Sequence, residues 1–242
     1  MISVIMPVYN NLGFLPQCIE SILGQTYGDF EFIILDDMSD EPVSSLVESY
    51  EDKRIKLIKN KENIGLTKSL NICLDAARGD IIARQDSDDI SLPERFEKEV
   101  AKLDEGYDMV SCWGRTVHND YPKNKRRLRD PYLDRTVRSV RSSKDFSSRL
   151  AKENCILGPA AMFTREVFER IGYYDETLYY AQDYNYWIRI SKFFKIGVVE
   201  EELYLRRRNL NSVRSDKRHE EKKKDIIGRL KSRADSNPVL KK

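Results

Sequence analysis

Apolar positions along this chain fall into two rhythms. Ile2–Val8, Phe30–Leu35 and Ile55–Ile58 are short, nearly continuous apolar runs, and Asp80–Ala83 is a fourth of similar length. Runs of roughly four to eight residues between turn signals read as buried strands. The segments between them repeat at helical spacing instead. Leu12–Gln25 carries Ile19, Ile22 and Leu23 on one side, with Pro16 tolerated in the first turn. Val43–Tyr50 reads as a second helix, and Leu66, Leu70, Cys73, Leu74 and Ala77 form the apolar face of a third. Strands alternating with helices predict an α/β fold whose parallel strands are joined by right-handed crossovers.

The second half is less regular. Pro93–Leu103 reads as a helix, Asp108–Val117 as a strand, Glu166–Ile171 as a helix, and Asp183–Phe194 as a helix with an aromatic face. Ile156–Thr164 is apolar, and a charged helix is expected near His219–Arg233. The stretch from Lys123 to Lys152 reads as a loop with short helices. It holds eleven Lys/Arg against three Asp in a chain whose net charge is only +2. That imbalance suits an anionic partner or membrane surface, or simply a solvated face.

Composition narrows the class. Hydrophobic residues make up 40% of the chain, enough for a sizeable core. The four cysteines, Cys18, Cys73, Cys112 and Cys155, are far apart and lack zinc-ligand spacing. Met1–Val8 is too short for a signal peptide's apolar region, and no run approaches the roughly twenty residues of a membrane span. A cytoplasmic protein is expected.

In open α/β sheets, ligands bind beyond the carboxyl ends of the strands. Three such ends carry polar clusters here: Pro7-Val8-Tyr9-Asn10, Asp36-Asp37 and Asp86-Ser87-Asp88. An Asp-x-Asp turn can hold a hard divalent cation that shares its oxygen ligands with a diphosphate. Neither GxxxxGK[ST] nor GxGxxG occurs, which argues against ordinary kinases and dehydrogenases and leaves the phosphate charge to a metal. Asp37 can accept a hydrogen bond from a pyrimidine N–H, with Tyr9 packed near the base. The competing reading is that Asp36 and Asp37 end a strand and begin a turn.

Taken together, SVIMPVYNN (3–11), SILGQTYGDFEFIILDD (21–37), NKENIGLTKSLN (60–71), ARGDIIARQDSDDISLPERFEKEV (77–100) and GYYDETLYYAQDYNYWIRI (172–190) resemble the family 2 glycosyltransferases. The resemblance runs over about residues 1–215. It implies a GT-A fold, an α/β architecture with a central, mostly parallel twisted sheet flanked by helices. Residues 1–110 would be the nucleotide-sugar-binding half, 111–215 the acceptor half, and 216–242 a charged tail. The implied activity is inverting transfer from a nucleotide-diphosphate sugar, with uridine as the expected base, to a glycan or glycolipid hydroxyl. Surface polysaccharide synthesis is the implied setting. The basic stretch Lys123–Lys152 lacks an interleaved aromatic pattern or a recognised binding motif, so no nucleic-acid partner is expected, and its excess charge suits peripheral membrane association.

The resemblance also implies roles. Pro7, Val8, Tyr9 and Asp37 would bind the nucleoside, with Asn63, Gly65 and Ser69 close by. Arg84 and Asp86 would contact sugar or ribose, Asp88 would ligate Mn2+ or Mg2+, and Asp183 would be the general base. Bland rivals stand beside these: Asn63-Ile64-Gly65 as a turn, Arg84 as a structural ion pair, Asp183 as a helix cap. Two departures from the family pattern stand out. Met38 takes the place of a glycine after the paired aspartates. In Tyr204-Leu205-Arg206-Arg207-Arg208, Arg208 stands where many relatives carry histidine. A guanidinium cannot ligate a cation, but Arg206 and Arg208 can neutralise a departing diphosphate by bidentate hydrogen bonds. The alternatives are a sugar nucleotidyltransferase, which normally has a glycine-rich basic loop after its first strand, and a non-catalytic nucleotide-sugar or nucleic-acid-binding module.

Overall fold

A computed structural model of the chain describes residues 1–125, 128, 146–208 and 220–235. Most of the basic stretch at 123–152 lies outside them. Strands β1 (Ile2–Val8), β2 (Phe30–Asp36), β3 (Ile55–Lys59) and β4 (Ile81–Arg84) alternate with helices α1 (Leu15–Leu23), α2 (Val43–Glu48) and α3 (Leu66–Ala76). All of these strand pairings are parallel, in the order β3-β2-β1-β4. This half follows the apolar rhythm of the sequence closely.

The continuous apolar runs have a plain physical cause. A parallel strand with helices on both faces is buried on both faces. On β1, Val4, Met6 and Val8 join one core while Ile5 joins the other; on β2, Phe32 and Ile34 oppose Ile33 and Leu35. Ile19 and Ile22 of α1, Val47 of α2, and Phe96 of α4 (Arg95–Asp104) cover the first face. Leu70 and Leu74 of α3 cover the second.

Beyond β4 the sheet changes character. It continues through β7 (Met162–Thr164), β6 (Met109–Val117), β8 (Ile196–Arg207) and the two-residue β5 (Ile90–Ser91). β7 runs antiparallel to both β4 and β6, and β5 antiparallel to β8, so the sheet is mixed rather than wholly parallel. β6 and β8 pair in parallel, with irregularities at Trp113 where the ladder bends. β8 and β5 have no counterpart in the sequence reading. The Val198–Glu202 part of β8 alternates poorly, with Glu200, Glu201 and Glu202 in succession, and hides its strand character. Helices α5 (Phe146–Lys152), α6 (Arg165–Ile171), α7 (Gln182–Ile190) and α8 (Glu220–Asp235) complete the described chain. Trp187 and Ile190 are fully buried in the core. No helix among the described residues is long and apolar enough to cross a membrane.

Candidate active site

The carboxyl ends of β1, β2 and β4 gather the three polar clusters along one edge, as the topology requires. At β1 and β2 the polar groups are largely engaged with one another. Asp36 accepts hydrogen bonds from the Ser39 N–H (2.9 Å) and the Ser44 hydroxyl (2.7 Å). Asp37, almost fully buried, accepts from Asn60 Nδ2 (2.7 Å) and the Ile64 N–H (3.1 Å) on Oδ1, and from the Gly65 N–H (2.8 Å) on Oδ2. Three of the roughly four acceptor positions of a carboxylate are therefore used. Asp37 thereby holds the turn that starts α3. Gly65 has φ +86, a conformation that favours glycine, so its place in the turn is a backbone requirement.

The neighbouring loop is tied in the same way. Asn10 donates its N–H to Ser39 Oγ (2.8 Å) and accepts the Asp40 N–H (2.9 Å) on its side-chain oxygen. The Tyr9 hydroxyl donates to Asp40 (3.1 Å), leaving a half-exposed ring at the cleft. Pro7 and Val8 underlie this loop at the end of β1, and Val8 is buried. Met38 has φ +57, which explains why glycine suits this position: the turn is left-handed. Asn63 is exposed on its turn, and Ser69 is fully buried within α3.

The β4 end is built differently. Arg84 is buried and donates from Nη2 to Asp86 Oδ1 (3.1 Å), while its Nε and Nη1 have no partner within hydrogen-bond distance. Burial works against its charge, but the nearby Asp86 and Asp183 outweigh burial and hold its pKa above the ordinary arginine value. Asp183 sits in the first turn of α7, after Ala181 in a left-handed conformation. Its Oδ1 accepts the Tyr184 N–H (2.7 Å), the local bond expected of a helix-start aspartate. Its Oδ2 faces the 3₁₀ turn Gly158–Ala160, where a Cβ on Gly158 would fall 2.7 Å from Oδ2 and 3.4 Å from Arg84 Nη1. Asp183 and Arg84, separated by about a hundred residues in sequence, thus meet over one turn. Tyr174 lies beside them; burial pushes its phenol up to about 12, with the Arg84 charge opposing.

β8 closes this end. Its antiparallel pairing with β5 sets Leu205 against Ile90, which brings the 204–207 segment against the aspartate loop. The Tyr204 hydroxyl accepts the Asp86 N–H (3.3 Å), and Asp89 Oδ1 accepts the Arg207 N–H (2.8 Å). Burial, then the charges of Asp88 and Asp86, push the Asp89 carboxyl well above the usual range; the Arg207 N–H and Arg206 pull it back. Asp86 and Asp88 stay partly exposed, and Asn11 reaches from the β1 loop to Ser87 Oγ (3.1 Å). Arg206 thus lies near the aspartates. Arg208 is further along: its N–H donates to Val117 O (3.2 Å), and its side chain lines an open cavity of about 560 Å³ with His118, Asn119, Asp120 and Leu128.

Beneath the loop lies a buried network absent from the sequence reading. Arg95 donates to Gln85 Oε1 (3.1 Å), Ser91 Oγ (2.8 Å), the Arg84 carbonyl (2.9 Å) and Glu99 Oε2 (3.1 Å). Burial lifts the Glu99 carboxyl to about 7 despite the Arg95 charge. Gly158 is likewise outside the sequence reading, although its Gly-Pro pair inside an apolar run is a turn signal. Asp89 directly follows Asp88 in the sequence, and only its burial sets it apart.

Known proteins resemble this chain in sequence and in fold. The family model for glycosyl transferase family 2 matches residues 3–172. An uncharacterized glycosyltransferase of Methanocaldococcus jannaschii is 33% identical over 208 residues, covering 83% of this chain and 68% of the relative. Among solved structures, S. aureus TarS 1-349 in complex with UDP-GlcNAc superposes with a TM-score of 0.77 at 22% identity, over 96% of this chain and 66% of that one. Mannosyltransferase PcManGT from Pyrobaculum calidifontis, in complex with GDP-Man and Mn2+, gives a TM-score of 0.66 at 22% identity, over 84% of this chain and 56% of that one. The mixed sheet flanked by helices is a GT-A fold, and the chain belongs to glycosyl transferase family 2.

Proposed function

We propose that the chain is an inverting glycosyltransferase that moves a sugar from a nucleoside diphosphate, preferentially uridine diphosphate, to a hydroxyl of a glycan or glycolipid. Surface polysaccharide synthesis is the setting this reading favours. The observation that carries it is the convergence of Arg84, Asp86 and Asp183 at the open end of β4. In this reading the β1–β2 edge holds the nucleoside against Tyr9, with the remaining acceptor capacity of Asp37 turned to the base. Asp86 and Arg84 hold the sugar side of the donor. Asp183 accepts the proton of the attacking hydroxyl, and a single base on the face opposite the leaving group gives inversion. Arg206 and Arg208 supply positive charge toward the departing diphosphate.

A divalent metal fits the residues present. Asp86 and Asp88 offer partly exposed hard oxygen donors; among the described residues no group of three or more His, Cys, Asp or Glu could hold a metal ion, so a bound ion would rest on one or two carboxylates and the ligand's phosphates. That donor set suits Mg2+ or Mn2+, which is commonly held by one or two carboxylates with phosphate and water completing the shell. Bound there, chiefly through Asp88, the ion would neutralise leaving-group charge. The Mn2+ and GDP-Man bound to PcManGT, and the UDP-GlcNAc bound to TarS, support this chemistry by likeness of fold.

The test is thermal. Uridine diphosphate with Mn2+ at a hundred times its Kd contributes about 2.7 kcal/mol to the folded state. For a chain of this size that is a rise of roughly 5–10 °C in Tm. Asp88→Ala should remove most of the rise. No shift with uridine, guanosine or thymidine diphosphate, each with metal, overturns the donor-site reading.

A further inference from the structure

The geometry points to Gly158 as a positioning residue for Asp183: the missing side chain at 158 is what lets the Asp183 carboxylate settle over the turn beside the Arg84 guanidinium. The assignment rests on Asp183 as the base and adds to that reading the element that aims it. A Cβ at 158 would stand 2.7 Å from Asp183 Oδ2, closer than real Cβ contacts come, and 3.4 Å from Arg84 Nη1. The turn cannot easily retreat. The Ala161 N–H donates to Gly158 O (3.1 Å), the Ala160 N–H donates to Leu157 O (3.0 Å), and Ser111 Oγ donates to the same carbonyl (3.1 Å). The Ala161 carbonyl accepts the Arg84 N–H (2.8 Å), which ties the turn to β4 itself. Gly158 is not among the glycines with positive φ, so left-handed backbone does not account for the residue.

With the turn held on both sides, the carboxylate is the part that must move. Its Oδ1 is already bound to the Tyr184 N–H, so an added methyl at 158, which also meets Asp183 Cβ at 3.4 Å, must displace Oδ2 from its place beside Arg84. A displacement near 1 Å at a reacting group can cost about a hundredfold in rate. The rival explanation is backbone: Pro159 restricts the residue before it, and alanine is more restricted there than glycine.

A double-variant cycle separates the two. Gly158→Ala, Asp183→Ala and the combination are compared for Tm and for affinity toward uridine diphosphate with Mn2+. Gly158→Ala and Asp183→Asn are compared for the single-turnover rate of diphosphate release from the nucleotide-sugar that raises Tm most. We expect Gly158→Ala to slow release about a hundredfold with donor affinity within about twofold of the parent. Any loss of Tm should vanish when Asp183→Ala accompanies it. If Gly158→Ala alone does not fold, restoration of a cooperative melt by Asp183→Ala supports the proposal, and failure to restore it overturns it. A folded Gly158→Ala with near-parent rate overturns it, as does a Tm cost equal in both backgrounds. Near-parent release by Asp183→Asn instead removes the base reading, and the role of Gly158 with it.

Discussion

Two clusters of aspartates end strands on the same edge of this sheet, and they are put to different uses. At β2, Asp36 and Asp37 are largely engaged by local structure: their oxygens take the hydroxyl of Ser44, the amide of Asn60 and the N–H groups of Ser39, Ile64 and Gly65. At β4, the groups are brought close and left under-satisfied. Arg84 keeps two nitrogens without partners, Asp86 keeps about a third of its side chain exposed, and Asp89 is pushed toward the protonated form. Local backbone donors make a rigid shelf for a ligand. Convergent charges with fewer such donors, one backbone N–H each for Asp183 and Asp89, keep electrostatic capacity that a charged substrate can use. Similar letters in the sequence thus mark a scaffold in one place and candidate chemistry in the other.

The sharpest way to break this comparison is Asp183→Asn, which keeps shape and removes the proton acceptor. Transfer should fall by roughly 10²–10⁴ with donor affinity nearly unchanged. Asparagine caps a helix about as well as aspartate, so an effect confined to the rate separates a base from a cap. Near-normal transfer would return Asp183 to the scaffold class.

A second prediction concerns what lies beneath β4. Glu99 holds its proton in the folded state to about pH 7, whereas an unfolded glutamate releases it near 4.5. Between those values the native state binds the extra proton, so raising the pH through this window lowers stability, on the order of 1–3 kcal/mol for this group. Glu99→Gln should flatten that part of the slope, whatever it does to the overall level. Urea unfolding at pH 5 and pH 8 reads the difference; parallel pH dependence in parent and variant would exclude Glu99 as its source.

The smallest expected effect belongs to the β2 shelf. Met38 occupies a left-handed turn at φ +57 and is exposed, so it contributes strain with little packing in return. Met38→Gly should raise stability by about 0.5–1 kcal/mol, the left-handed strain relieved less the extra backbone entropy of glycine. A shifted urea midpoint at unchanged m-value would register it. A loss of stability would mean that the methionine packs more than its exposure indicates.

Much of the first half of the molecule was legible in the residues themselves. β1 to β4 and α1 to α3 follow from apolar runs and helical spacing because burial on two faces, or on one, imposes those periods locally. The strand-end position of Asp37 and Asp86 follows from the same alternation, while the glycine that would suit position 38 comes from the family resemblance and its left-handed backbone from the structure. Tertiary structure decided the rest. β8 became a strand through pairing with β6 and β5, and that pairing delivers Tyr204 and Arg207 to the aspartate loop. Nothing local specifies that Gly158 leaves the space in which Asp183 meets Arg84, or that the i,i+4 pair Arg95–Glu99 is buried beneath them with Gln85 and Ser91 as partners. Periodicity records how each residue is buried; which distant residues share a burial site depends on chain crossings that no local pattern encodes.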